Sequence, residues 1–331
     1  MTYEQQRERI FRLVHDFEGK KFEALALEIF RFQARYNPVY ARFLSLLSVD
    51  VQKVKSNTAI PFLPIQFFKN YAVKTGEWKE ETVFTSSGTT GMATSRHFLR
   101  DLNFYKRNAL QGFSHFYGSP EKYCILTLLP SYLEREGSSL IIMTEDFIRR
   151  SAHPSSGFFL NNKEELVKVL KKQVAKREPT LLLGVSFALL DLAEQFPLDL
   201  GGVTVMETGG MKGRRREITR AELHGILKNA FQLEHIHSEY GMTELFSQAY
   251  SKSEGLFHPS FTMRVLAREI TDPLTMLPPG KTGVLNVIDL ANFDTCSFIA
   301  TEDLGRVEED GSFEVLGRLD NSDIRGCNLM V

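Results

Sequence analysis

The chain has 331 residues and a formal net charge of −1, with 43% hydrophobic and 24% charged residues. That balance supplies ample apolar surface for a large core and excludes a global basic bias toward nucleic acid or an anionic membrane. Three cysteines, Cys124, Cys296 and Cys327, show no metal or CxxC spacing, as expected of a reducing cytoplasm.

In chain order, MTYEQQRERIFRLVHDF is polar and helical in pattern rather than a signal peptide. No apolar run reaches the ~18 residues of a transmembrane span. Helical spacing continues through KFEALALEIFRFQARY and VYARFLSLL, which predicts a helical cap over residues 1–80. IPFLPIQFF is broken by prolines, and WKEETVF leads from a short strand into TSSGTTG. The following SRHFLRDLNFYKRNALQGFSHFYG reads as one helix with an aromatic stripe.

Strand and helix signals then alternate. YCILTLLP is a strand, EDFIRR and KEELVKVLKKQVAKR are helices, and PTLLLGVSFALLDLAEQF is a strand entering a helix. GGVTVMETGG is a strand, RREITRAELHGILKNAF a helix, and QLEHIHSEYGMTE a strand with a loop. The alternation predicts an α/β core over 81–254, with a mostly parallel, helix-covered sheet. From 255 to 316 short strands joined by Gly, Pro and Asp turns predict a small antiparallel or barrel-like β subdomain, followed by a hinge-like tail over 317–331. Phenylalanine, with 26 residues against one tryptophan, fits either an aromatic core or an apolar tunnel for a long substrate.

Four stretches carry chemistry. In TSSGTTG (Thr85, Ser86, Ser87, Gly88, Thr89, Thr90, Gly91) small side chains let backbone N–H groups approach an anion, and hydroxyls add donors. It lacks the GK[ST] ending of a Walker loop. In SEYGMTE, Tyr240, Gly241, Thr243 and Glu244 combine a ring, a glycine, a hydroxyl and a carboxylate suited to a base, a phosphate and a hard cation. Asp303 in ATEDLGR is expected at a strand end, where a carboxylate can accept both hydroxyls of a ribose; GRLD, with Arg318, follows. Taken singly, each also reads as a polar loop or strand-end turn. GVSFA lacks the last glycine of a hydrolase elbow, so Ser186 reads as lining a strand–helix turn. His235 and His237 share one face of a predicted strand without a third ligand nearby in sequence. The KGRRRE run reads as a solvated face or a phosphate contact.

In order and spacing, these stretches resemble the adenylate-forming enzymes: acyl-CoA synthetases, firefly-type luciferases and peptide-synthetase adenylation domains. LPSYLEREGSSLIIM, LLLGVSFALLDLAE and GRLDNSDIRGCN resemble more closely the acyl-protein synthetases, the LuxE-type fatty-acid ligases of bacterial luminescence. The resemblance implies the large-domain fold of adenylate-forming enzymes as one adenylating domain over 1–331, without the mobile C-terminal domain. It implies ATP and Mg²⁺: residues 85–91 on the phosphates, Tyr240 with Gly209 and Gly210 bordering adenine, Asp303 on the ribose and Glu244 on magnesium. It further implies a cytoplasmic ligase that makes an acyl-adenylate from a fatty acid and passes the acyl group to Cys327 for a partner reductase.

Coenzyme A or a carrier-protein thiol is the alternative acceptor, and a non-catalytic partner of a reductase complex is the alternative from another class. Phenylacetate-CoA ligases carry valine where this chain has Cys327, so a small apolar hinge residue is the competing reading there. Glu302 stands where many members have glycine, and GRLDNSDIRG is one residue shorter than related hinges. Without the C-terminal domain, the lysine most members use at the α-phosphate has no carrier. Mg²⁺ on Glu244, with Arg318 or a base from 211–217, is expected to replace it.

Overall fold

The computed structural model describes residues 1–86, 94–130, 137–160, 162–209, 216 and 218–319. Three helices open the chain: α1 (Tyr3–His15), α2 (Phe22–Tyr36) and α3 (Pro38–Leu46). Thr2 and Gln5 close a capping box on α1, and Asn37 caps α3 ahead of Pro38, so each start is written in the local sequence. One face of α2, including Leu25, Ile29, Phe30 and Gln33, is buried at helical spacing. Gln33 donates from Nε2 to the Asn292 and Phe293 carbonyls at 3.0 and 3.1 Å. Arg7 forks onto Asp294 at 2.8 and 2.7 Å, so the helices are tied to the C-terminal part of the chain by polar as well as apolar contacts.

Next come β1 (Leu63–Pro64), α4 (Phe67–Asn70), β2 (Thr82–Thr85), β3 (Arg96–Leu99) and α5 (Leu102–Tyr117). The α/β run follows: β4 (Cys124–Leu128), α6 (Ser139–Ser151), β5 (Gly157–Phe158), α7 (Lys163–Lys176), β6 (Thr180–Val185), α8 (Ser186–Gln195), β7 (Val203–Thr208), α9 (Arg220–Phe231) and β8 (His237–Tyr240). It ends in β9 (Ala249–Ser251), β10 (Leu256–Pro259), β11 (Met263–Arg268), β12 (Thr282–Asp289), β13 (Phe298–Val307) and β14 (Phe313–Arg318).

The strands form one continuous sheet in the order β11-β12-β13-β14-β10-β9-β8-β7-β6-β4-β5, with β2 and β3 as a separate hairpin. From β5 to β8 every pairing is parallel, as the β–α alternation predicts. From β8 onward the sheet is antiparallel, and β1 adds a parallel pairing to β13. The antiparallel strands expected after 255 are thus present; they extend the main sheet, and the strand order among the described residues shows no closed barrel.

Two expectations change. The stretch after TSSGTTG is not a single helix: Arg96–Leu99 is a strand paired with β2, and the helix begins at Leu102 behind the Asp101 cap. Asp303 lies inside β13 rather than at its end, one residue before a register shift at Leu304/Gly305. A Cβ on Gly305 would stand 2.2 Å from the Glu314 carbonyl of β14, so glycine is required for this close approach. The phenylalanines serve core packing: Phe30, Tyr40 and Phe298 meet ring to ring, as do Phe11, Phe104 and Phe293.

Candidate active site

The carboxyl ends of β6, β7 and β8 lie side by side, the place where open α/β sheets bind ligands. Ser186 follows β6, Thr208 ends β7 ahead of Gly209, and Tyr240 ends β8 ahead of Gly241. Ser186 donates toward the Glu207 carboxylate at 3.1 Å and the Gly209 carbonyl at 3.0 Å, which fits a residue lining the strand–helix turn. Gly209 has φ +69°, a left-handed turn that favours glycine.

Tyr240 is enclosed by Phe257 and by the edge of Phe313. Its hydroxyl donates to Asp303 Oδ2 at 2.8 Å, and Arg318 Nε lies 3.4 Å from Oδ1. Arg318 is the Cα partner of Asp303 across the β13–β14 ladder, so strand register delivers this pair. Burial pushes the Asp303 carboxyl up while Arg318 and the Tyr240 hydroxyl draw it down. Three expected site residues thereby meet: Tyr240, Asp303 and Arg318.

The turn after β8 is pinned on several sides. His97 donates from Nδ1 to the Thr243 carbonyl at 2.8 Å, and its Nε2 accepts from the Thr295 hydroxyl at 3.0 Å. Asn292 donates to the Glu244 carbonyl at 2.8 Å, and Asp289 accepts from the Phe246 and Ser247 amides at 2.7 and 3.0 Å. Behind Gly241, a Cβ would lie 2.5 Å from Glu239 Oε1, so a side chain there would require that carboxyl to shift.

The neck of the Ser/Thr loop closes on this turn. Ser86 and Ser95 pair through Ser86 N to Ser95 O at 3.1 Å and Ser95 N to Ser86 Oγ at 2.9 Å. Thr85 holds the Gly137 carbonyl at 2.9 Å. The buried Glu244 carboxyl is raised by desolvation, against a hydrogen bond from the Ser95 side chain and the charges of Arg318 and Lys69. Glu244 with the adjacent serine hydroxyl is an all-oxygen set. It fits Mg²⁺, which takes one or two carboxylates and completes its shell with phosphates and water.

Two further carboxyls sit beneath. Glu207 is buried, yet the His224 hydrogen bond and the Arg220 charge outweigh desolvation and hold its carboxyl low. Arg220 Nε reaches it at 3.1 Å. Glu239, one register step away, bonds the Thr208 hydroxyl; burial, aided by the Glu207 charge, pushes it up to about 7.

Ser87, Gly88, Thr89, Thr90, Gly91, Gly210 and Cys327 lie outside the described residues, as does the 211–217 run except for the exposed Arg216. Cys124 and Cys296 are buried, and desolvation pushes their thiols up to about 11 and about 12, so both are inert core thiols near neutral pH. His237 opens β8 and faces the Tyr117 hydroxyl, whereas His235 precedes the strand. Among the described residues no His, Cys, Asp and Glu group forms a metal cluster. His97, Glu207, Glu239 and Lys69 are the residues near the site that sequence reading misses.

A family model described as acyl-protein synthetase, LuxE, matches residues 143–331. No curated protein matches the chain. Among solved structures, the chain is similar to ATP-bound MatB from Rhodopseudomonas palustris, with TM-score 0.53 and 17% identity over 71% of this chain and 47% of that one. It is also similar to 2-hydroxyisobutyryl-CoA ligase with 2-HIB-AMP and CoA in the thioesterification state, with TM-score 0.65 and 13% identity over 97% and 70%. The same ligase in the postadenylation state gives 0.66 and 12% over 93% and 70%. The chain spans about half the length of MatB. At these identities the likeness establishes the fold, that of the adenylate-forming enzymes.

Proposed function

The chain belongs to the acyl-protein synthetase family, and from that premise we propose that it activates a carboxylic acid, a fatty acid first, with ATP and passes the acyl group to a thiol. A carboxylate oxygen attacks the α-phosphorus, the bond to the bridging oxygen breaks, and pyrophosphate leaves with the electron pair. A thiolate then attacks the acyl carbon, the carbon–oxygen bond to AMP breaks, and AMP leaves as the thioester forms. Loop residues 85–91 hold the phosphates, Tyr240, Gly241 and Thr243 with Gly209 and Gly210 border the nucleotide, and Asp303 takes the ribose hydroxyls. Glu244 is the residue that holds Mg²⁺, which when bound spreads and neutralises phosphate charge.

The observation that carries this reading is the meeting of stretches far apart in sequence: the Ser86–Ser95 neck on Glu244, beside Tyr240, Asp303 and Arg318. Cys327 is the first acceptor, supported by the burial of Cys124 and Cys296. It lies ten residues past Gly317, within about 33–36 Å of extended chain. A partner reductase is the expected recipient of the acyl group.

Pyrophosphate release is measured over acids of increasing length, with and without coenzyme A, and intact mass is read after ATP and acid. Release with an acyl adduct that Cys327→Ser abolishes supports the proposal. An adduct that persists in Cys327→Ser removes Cys327, turnover only with coenzyme A makes the protein a CoA ligase, and no release with any acid leaves a non-catalytic partner.

A further inference from the structure

Adenylation brings a carboxylate against a polyphosphate, so positive charge at the phosphates matters most. Several of the described arginines are committed to other partners. Arg220 is bound to Glu207 and to the Val315 carbonyl, at 3.1 and 2.8 Å. Arg318 lies 3.4 Å from Asp303, with its side chain 66% exposed. Arg100 contacts the Tyr3 hydroxyl, Glu4 and Asp294.

Lys69 is different. It sits in α4, a short helix whose flanks are tied to neighbours of the site on two sides. On one side, β1 pairs with β13 at Leu63↔Ile299, Ile65 donates to the Ala300 carbonyl at 2.9 Å, and Gln66 donates to Glu302 at 2.6 Å, beside Asp303. On the other side, the buried Phe68 meets the edge of His97, the ring that holds the Thr243 carbonyl next to Glu244. Lys69 is half-buried and forms no ion pair with a described residue. Its amide donates to the Gln66 carbonyl at 3.0 Å, which sets Lys69 one turn on from Gln66, the residue that reaches Glu302, and its charge, with that of Arg318, draws the Glu244 carboxyl down. A half-buried lysine with no carboxylate partner among the described residues, on a helix tied beside Asp303 and Glu244, is placed to receive an anion.

We infer that Lys69 is a phosphate-binding lysine of this site, supplying from α4 the positive charge that neutralises the triphosphate beside Glu244. The inference deepens the adenylation reading and rests on it. It also gives Glu302 a part: where the resemblance expects glycine, a side chain takes the Gln66 amide and anchors the helix that carries Lys69.

The test compares wild type, Lys69→Met and Lys69→Arg by ATP–pyrophosphate exchange, by calorimetric binding of MgATP and of adenosine, and by thermal unfolding. Lys69→Met should weaken MgATP and slow exchange by about tenfold to a hundredfold, the range for losing one charge-assisted hydrogen bond. Adenosine affinity and unfolding temperature should stay at wild-type values, and Lys69→Arg should recover part of the loss. Unchanged MgATP affinity in Lys69→Met overturns the inference. So does an equal weakening of adenosine, which would mark a structural role. If wild type exchanges no pyrophosphate with any acid, it is the adenylation reading that falls, and the MgATP-against-adenosine comparison still judges Lys69.

Discussion

His97 joins four parts of the site, and its replacement by phenylalanine tests that arrangement. The ring is fully buried among Phe68, Phe84 and Phe246, so phenylalanine preserves shape and removes both nitrogens. Thr295 can turn its hydroxyl to the Asn292 carbonyl at 3.4 Å, but the Thr243 carbonyl loses the donor that holds it. One orphaned buried acceptor costs about 1–3 kcal/mol, so the variant should be less stable by that amount at pH 7.5. Burial lowers the His97 pKa from 6.5 to about 4. Between those values the unfolded chain binds a proton that the folded chain refuses, so this contribution to stability is intact above pH 6.5 and is lost as pH falls toward 4. The full difference is about 3 kcal/mol, at 1.36 kcal/mol per unit. His97→Phe lacks it, so urea unfolding at pH 4.5, 5.5, 6.5 and 7.5 should show the gap between wild type and variant closing as pH falls. Taking the difference cancels every other titrating group. A gap constant across that range, or a His97 ring that titrates near 6.5 by NMR, refutes the reasoning.

The remaining predictions concern the neighbouring residues. Glu239, raised to about 7, keeps a proton that the unfolded chain releases above 4.5, so its contribution is lost as pH rises through 7. Glu239→Gln should remove that decline and gain up to about 3 kcal/mol relative to wild type at pH 8; equal differences at pH 5 and pH 8 in urea unfolding would count against it. Gly241→Ala places a methyl 2.5 Å from Glu239 Oε1 and should cost about 1–3 kcal/mol, with the loss reduced when Glu239→Ala is added. Simple additivity in that double-mutant cycle would show that the carboxyl is not the obstacle. Tyr240→Phe takes a hydroxyl from the nearly buried Asp303 and should cost about 1.5–3 kcal/mol in denaturant unfolding, the range for a hydrogen bond to a charged group. An unchanged midpoint would mean that Arg318 or water replaces it.

What the sequence made legible was what local pattern encodes. Apolar runs of strand length alternating with amphipathic helices gave the parallel half of the sheet, and the polar turns after β7 and β8 fell at strand ends where a ligand site belongs. What it concealed depends on pairings distant in sequence. Arg96–Leu99 has helical spacing in isolation, but pairing with Thr82–Thr85 makes it a strand, and only as a strand does it aim His97 at Thr243. Asp303 meets Arg318 through the β13–β14 register, which a one-residue shift at Leu304/Gly305 adjusts and which no single-chain spacing reveals. Lys69 follows two phenylalanines in a stretch that reads as a proline-broken connector. Its place beside the site comes from β1 pairing with a strand more than 230 residues later. The carboxyls make the same point about charge. Glu207 and Glu239 look alike in sequence and lie on adjacent strands, but Arg220 and His224 reach only the first, so burial wins at the second. The site therefore combines residues of legible type with a charge pattern set by their neighbours across the fold. For that reason, substitutions of His97, Lys69 and Glu239 probe the function more sharply than further substitutions of the motif residues themselves.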